Sequence, residues 1–291
     1  MISVSELLSR IRKLDIKVEN FVDGTESGIH RSKFRGEGIE FSEVREYVHG
    51  DDIKRIDWNV SARYGELFVK EFVEENELNV LLMIDMSASN DFGHIKSKQE
   101  HVFEITASLV FSILKNKDKF GIGIFTDHLE KFIPAKKGEK HMMRILKEII
   151  QYIPKSKKTD ISKSISEINS HLRSRSTIFI ISDFMSDSFL KSLKILKLHH
   201  QIVLINLSDV HEKNIPEIGY IYLEDSESEK QILVNTSDKS FQRNYSKYFE
   251  ESKKEIQKEI NRIGIDMINL DGTEKFDIAF NRYFRNKHRK K

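Results

Sequence analysis

The chain contains no cysteine among its 291 residues. That removes disulfides, thiolate zinc sites, iron–sulfur clusters and a cysteine nucleophile together. No apolar run reaches the roughly 18 residues of a membrane span, so no transmembrane helix is expected. The opening Met-Ile-Ser-Val-Ser-Glu lacks the basic-then-apolar pattern of a secretion signal, and the expectation is a soluble, cytoplasmic protein. Also missing are His-Glu-x-x-His, the phosphate-binding Gly-x-x-x-x-Gly-Lys-Ser/Thr, Gly-x-Gly-x-x-Gly and the Gly-x-Ser-x-Gly elbow. Nucleotide hydrolysis by this chain is therefore not expected. Nor does one sign of charge dominate. The formal net charge is +2, and the last ten residues, Arg282 to Lys291, hold six Lys or Arg and no acid, which leaves −4 on the rest. A mildly acidic body without a basic stripe does not suggest a nucleic-acid binder. The basic end reads as a solvated tail, with a contact to acidic lipid or RNA as the weaker reading.

What is present is a set of short apolar runs. Val80 to Ile84 is unbroken and bounded by polar residues, the pattern of a strand buried on both faces. Gly121 to Phe125, Thr177 to Ser182 and Ile202 to Leu207 read the same way, with Leu129 to Ile133 as a hairpin partner. Helical spacing occupies the segment from Phe103 to Leu114, then 142–153, 160–172, 187–198, 240–263 and 274–285. Short strands are expected at Tyr220–Glu224 and Gln231–Val234, and a last strand at 265–270. Strands alternating with helices predict an α/β fold, a doubly wound, mostly parallel sheet with helices on both faces. Ahead of it, residues 3–14 have the spacing of an amphipathic helix. Residues 24–76 are glycine-rich and charged, with strand-like stretches, and predict a small β-containing module. The domain reading is 1–76 for helix and module, 77–285 for the sheet domain, and 286–291 for the basic tail.

The first buried strand ends in Asp85, followed by Ser87 and Ser89. In open α/β sheets ligands bind at the carboxyl ends of strands. A carboxylate and two hydroxyls with no soft ligand beside them suit magnesium or manganese. The same residues are also the ordinary chemistry of a turn and a helix cap. Thr159 lies in a loop that opens a helix, and Asp183 ends the strand Thr177–Ser182. Asp127 and Asp160 read as turn and cap residues, and Asp91 lies near the first loop.

Asp-x-Ser-x-Ser, then a loop Thr, then a strand-ending Asp, in that order, resembles the metal-ion-dependent adhesion site of von Willebrand factor A domains. The resemblance implies a Mg2+ (or Mn2+) ion on Ser87, Ser89 and Thr159, with Asp85 and Asp183 acting largely through water. One coordination position would stay open for a partner's carboxylate. A second, more specific string is Gly36-Glu-Gly-Ile-Glu-Phe, Val44-Arg-Glu-Tyr, Gly50-Asp-Asp, Arg55-Ile-Asp-Trp and Ser61-Ala-Arg, supported by Gly93, Arg175 and Ser182-Asp-Phe. It is similar to a bacterial and archaeal family long catalogued as domain of unknown function fifty-eight, whose members carry a von Willebrand A-like domain and are often encoded beside a MoxR-type AAA+ ATPase. That resemblance implies a non-catalytic, metal-dependent adaptor. It would work with such an ATPase and a client protein. The acidic element such members often carry after the strand at 202–207 has no match in Ser208-Asp-Val-His-Glu.

Two other readings stand beside this one. A magnesium phosphohydrolase of the haloacid dehalogenase kind also ends its first strand in an Asp. It needs a carboxylate two residues on, where this chain has Ser87, which cannot serve as the general acid/base at neutral pH. Alternatively the protein is structural and docks through its N-terminal module, with Arg55, Trp58 and Arg63 as the partner-binding residues. Taken by themselves, Asp51, Asp52, Asp57, Arg55 and Arg63 read as one salt-bridged cluster around a packed Trp58.

Overall fold

A computed structural model describes residues 39–74, 78–87, 98–186, 189–208, 215–224, 231–271, 278–280 and 282. The expected helix at 3–14, the glycine-rich loop, Ser89, Asp91 and the basic tail lie outside these. The described residues fall into two compact units that divide between positions 74 and 78.

The smaller unit pairs strand β1 (Ile39–Glu46) with β2 (Phe68–Glu74) in an antiparallel ladder, with a register shift between Phe41 and Glu43. Between them run a 3-10 turn (Ile53–Arg55) and a short helix α1 (Trp58–Tyr64). Asp52 caps the turn by accepting from the Lys54 N–H, and Asp57 caps α1 by accepting from the N–H groups of Asn59 and Val60. Gly65 closes α1 in the left-handed region, at φ 76°. Asp51 takes a forked pair of hydrogen bonds from Arg45 at 2.7 and 2.8 Å, and Asp57 also meets Lys70 at 3.4 Å. Through its hydrogen bond from Arg45, Asp51 is held down to a pKa of about 2. These carboxylates therefore do not form one cluster around the tryptophan. Each serves a nearby backbone N–H or a strand cation, as Asp does at helix starts. Trp58, expected to be a packed residue, is 64 % exposed, because the position that α1 buries is Ser61. Ser61 Oγ accepts from the Phe68 N–H at 2.9 Å.

The larger unit is built on a six-stranded sheet. Its strands are β3 (Asn79–Asp85), β4 (Lys119–Phe125), β5 (Leu129–Lys136), β6 (Thr177–Ser182), β7 (Gln201–Ser208) and β10 (Asp266–Asp271). The spatial order is β10-β7-β6-β3-β4-β5, parallel throughout except for β5. The two-stranded hairpin of β8 (Tyr220–Glu224) and β9 (Gln231–Asn235) stands apart from it. The apolar runs are continuous because both faces of the sheet are covered. Val80, Leu82 and Ile84 point into one core with α2 (Lys98–Lys115) and α3 (Glu139–Ile150). Leu81 and Met83 point into the other, with α4 (Ile161–His171), α5 (Leu190–His199) and Ile260 from α6 (Lys239–Arg262). At Gly121 a side chain has no room, since a Cβ would stand 2.5 Å from the Ile133 carbonyl oxygen across the β4–β5 ladder. The fold class is the one expected. Helix α3 ends at Ile150, three residues short of the sequence reading; Pro154 disfavours helical backbone at Ile153, the last of the three.

At the edge of the sheet away from Asp85, His200 Nδ1 accepts from the Ser176 N–H at 3.2 Å in a site only 6 % exposed. Burial, with the charges of His199 and Arg175, holds its pKa below the usual value. The unfolded chain thus takes up this proton at a higher pH than the folded one does. The stability His200 lends is complete above about pH 6.5 and falls as pH drops through that value. His200→Asn keeps an acceptor near the Nδ1 position and cannot titrate. Denaturant melts at about pH 7.5 and about pH 5.5 are expected to show wild type losing more stability than His200→Asn over that interval. Equal losses would remove His200 from the acid response.

Candidate functional site

The strand order reverses around β3: the chain steps to β4 on one side and returns to β6 on the other. Such a reversal leaves a crevice at the carboxyl ends of the strands, and Asp85 stands in it. Strand alternation puts Asp85 on the face of Leu81 and Met83, where α4 packs. The pairing of Ile84 with Ile181 puts Ser182, one residue further on, beside Asp85.

Asp85 is fully buried. Its Oδ2 accepts from Ser182 Oγ at 2.7 Å and its Oδ1 from the Ser87 N–H at 3.0 Å, and the Ser87 hydroxyl bonds it as well. Burial first, and then the charge of Asp183, push its pKa up to about 6, against the pull of those hydrogen bonds. Its folded pKa thus lies above the unfolded value of 3.8. The ionised form therefore costs stability, on the order of 3 kcal/mol, once pH rises above about 6. Asp183 is 7 % exposed, and its Oδ1 accepts from the Met185 N–H at 3.2 Å. Between them Phe184 adopts φ 53°, an uncommon conformation for a bulky residue. It is held there by burial against Phe189 and by its N–H bond to Ser182 Oγ at 3.1 Å.

Thr159 arrives on the loop between α3 and α4. The next residue, Asp160, bonds through its N–H to the Thr126 carbonyl at 3.1 Å, and its side chain caps α4 on the Lys163 N–H at 2.8 Å. Thr126 follows β4 directly, and Phe125 of β4 is paired with Asp85. Thr159 is thus brought to the same strand ends. Its Oγ1 is buried and makes no hydrogen bond, a costly state for a hydroxyl.

Of the residues singled out from the sequence, the structure brings Asp85, Ser87 and Asp183 into one site, with Thr159 at the neighbouring strand end. Ser89 lies outside the described residues. Asp127 is a turn residue whose Oδ1 bonds His128 Nδ1 at 2.7 Å. Arg55 and Arg63 are exposed on the smaller unit.

Two residues were given no part in the site by sequence reasoning. Ser182 is one, although two adjacent strands with polar ends were a usable sign of it. The other is Glu130, whose carboxylate gathers the loop that carries Thr159. It accepts from Thr126 Oγ1 at 2.5 Å, the Tyr152 hydroxyl at 2.7 Å, and the N–H groups of Lys155 and Ser156 at 3.0–3.3 Å. Burial alone would raise its pKa, but these bonds outweigh it and the net shift is downward. In sequence Glu130 looks like any charged residue on a hairpin.

The donor set fits a hard divalent cation. Every polar side-chain atom named at Asp85, Ser87, Asp183 and Thr159 is oxygen, and one buried hydroxyl lacks a partner that an ion would supply. Among the described residues no three His, Cys, Asp or Glu side chains gather at one point. An ion here would therefore rely on hydroxyls as well as carboxylates.

Comparison with known proteins places the chain in a family. The chain belongs to the family described as "Protein of unknown function DUF58", which matches residues 43–255. It is 29% identical over 227 residues to the uncharacterized protein Rv1480 of Mycobacterium tuberculosis, covering 77% of this chain and 72% of that one. It is 35% identical over 107 residues to the uncharacterized protein YeaD of Bacillus subtilis, covering 36% of this chain and 25% of that one. Among solved structures, the conserved hypothetical protein BatB from Bacteroides thetaiotaomicron aligns at TM-score 0.48 and 16% identity, over 73% of this chain and 99% of that one. The SpRpn10 VWA domain aligns at TM-score 0.40 and 11% identity, over 70% and 94%. These two are likenesses of overall fold and carry no weight for the site.

Glu130 sets a test of how the site is held. Glu130→Ala leaves the Lys155 and Ser156 N–H groups and the Tyr152 hydroxyl without their acceptor, and is expected to cost about 1–3 kcal/mol in urea melts. Hydrogen exchange should quicken at 155–160 while β3 and β6 keep their protection. Unchanged exchange in that loop would show that Glu130 does not hold it.

Proposed function

We propose that this member of the DUF58 family is a non-catalytic protein-binding module that grips a partner through a divalent cation, Mg2+ or Mn2+, at Ser87, Ser89 and Thr159, braced by Asp85 and Asp183. The observation that carries the reading is the buried, unpartnered hydroxyl of Thr159 at the strand ends where Asp85 stands. A cation would satisfy it. The same ion would offset the mutual repulsion of Asp85 and Asp183, which burial makes expensive. With the two carboxylates acting through water, the ion stays electrophilic enough to take a carboxylate from another protein.

Catalysis is a poorer fit. A phosphohydrolase needs an exposed attacking carboxylate. Both oxygens of Asp85 are engaged, by Ser182 and Ser87, and the residue is fully buried. The second position of the Asp-x-Asp pair is Ser87.

The partner in this reading is a MoxR-type AAA+ ATPase together with a client it remodels, in the cytoplasm. It rests on the resemblance carried by the sequence motifs of residues 36–63. Among the described residues no helix is long and apolar enough to cross a membrane.

Thermal melts test the ion. Mg2+ or Mn2+ at ~100 times its Kd is expected to raise Tm by about 5–10 °C, and chelator to reverse it. In Asp85→Asn the metal-dependent rise should vanish, while the metal-free Tm holds or increases because a buried charge is gone. A pull-down of a MoxR-type ATPase from the same organism tests the partner: chelator and Thr159→Ala should both weaken it. Binding that ignores chelator and Thr159→Ala but is lost in Arg63→Glu would move the interface to the smaller unit.

A further inference from the structure

Helix α3 carries its charge on one line. Lys140, Arg144 and Lys147 follow at i, i+4 and i+7, all exposed, and with Met143 they line a single shallow depression. The opposite face, with Met142, Ile145, Leu146 and Ile149, is buried in the core. Among the described residues no carboxylate pairs with these three cations; Glu139, in the first turn, is exposed, and two other acids nearby are engaged elsewhere. Glu148 holds Lys131, and Glu130 is bound to backbone N–H groups. The positive charge of the stripe is therefore unspent.

Topology gives the stripe a direction. Strand β5 runs antiparallel to β4, so it leaves the edge where Asp85 stands, and α3 then returns toward that edge. The return is confirmed by hydrogen bonds, since Lys155 and Ser156, just past α3, bond to Glu130 at the start of β5. The same loop exposes Lys155 and Lys158 and then delivers Thr159. A line of cations thus leads from α3 up to the candidate cation site.

We propose that the outer face of α3 and the loop at 155–158 form a docking track for an acidic protein segment, one of whose carboxylates is the group captured at the cation. The proposal rests on the cation-site reading for its end point, but the track has its own readout. An acidic peptide is the occupant because the charges are complementary and because the track runs into a site suited to a carboxylate. A lipid surface fits less well: most of the apolar side chains of α3 are inside the core, and on its outer face only Met143 and Ile150 are exposed, too few for an inserting face. A single-stranded nucleic acid would want aromatic stacking platforms, and the depression lined by Lys140, Met143, Arg144 and Lys147 has none.

The experiment is fluorescence anisotropy with a fluorescein-labelled oligo-glutamate peptide carrying interspersed leucines, run with Mg2+ and with chelator. An oligo-glutamine peptide, phosphatidylserine vesicles and oligo-uridylate are the comparison probes. Reversing Lys140→Glu, Arg144→Glu and Lys147→Glu together should weaken binding about tenfold in both conditions, three exposed ion pairs being lost. Thr159→Ala should weaken it only when Mg2+ is present. The neutral set Lys140→Gln, Arg144→Gln and Lys147→Gln should lose less, and circular dichroism verifies the fold of each variant. Charge reversal that leaves Kd within about twofold would overturn the track even if the Mg2+ response of the melts persists. Vesicles or oligo-uridylate binding more tightly than the peptide, with the same loss on charge reversal, would overturn the assignment of a protein partner. A charge-reversal effect with no Mg2+ response in any assay would keep the track and remove the cation site.

Discussion

A carboxylate with no access to water governs this structure. Asp85 ends the central strand, fully buried, with another carboxylate close enough to raise its pKa. Ionising it there is unfavourable unless something compensates. The protein supplies partial compensation through Ser182 on the next strand and through Ser87 just beyond Asp85 itself. Those bonds are specific in direction. Ser182 ties the end of β6 to the end of β3, and Ser87 fixes how the chain leaves β3. Phe184, in its uncommon backbone conformation, is anchored on the same Ser182 hydroxyl. Much of the local backbone is therefore arranged around one charge.

The second constraint is the loop that brings Thr159. A loop hydroxyl has no packing of its own to hold it in place, so its position depends on what ties the loop down. Glu130 does this at one end by accepting several donors at once, and Asp160 does it at the other by capping α4 and bonding Thr126. Both anchors reach back to β4 and the turn after it, next to β3. The arrangement holds a hydroxyl unsatisfied at the strand end next to that of Asp85. That is an expense a folded protein carries for a ligand more readily than for stability alone.

The smaller unit shows the opposite economy. Asp51, Asp52 and Asp57 look alike in sequence, yet each is spent locally on a cap or on a strand cation. Its aromatic and aliphatic side chains Trp58, Tyr64 and Ile53 remain exposed. Short elements with few buried positions leave little core for them to enter, which keeps the smaller unit in view as a second contact surface.

The sequence by itself determined the architecture. The runs Val80–Ile84, Gly121–Phe125, Thr177–Ser182 and Ile202–Leu207 read as buried strands, and the helices between them predicted a mostly parallel sheet. It also placed Asp85 and Asp183 at strand ends, because a strand's end is marked by where its apolar run stops. Helix ends were legible to within a few residues, with α3 ending three residues earlier than its spacing suggested. Only the tertiary structure decided which oxygens meet. The bond from Ser182 to Asp85 depends on the register that pairs Ile84 with Ile181, and Glu130 holds Lys155 and Ser156 across 25 and 26 residues of chain. Burial of the Thr159 hydroxyl and exposure of Trp58 likewise depend on what packs around them. Periodicity along a chain records which face a residue takes, but not which residue waits on the neighbouring strand, since register is set by packing between segments far apart in sequence.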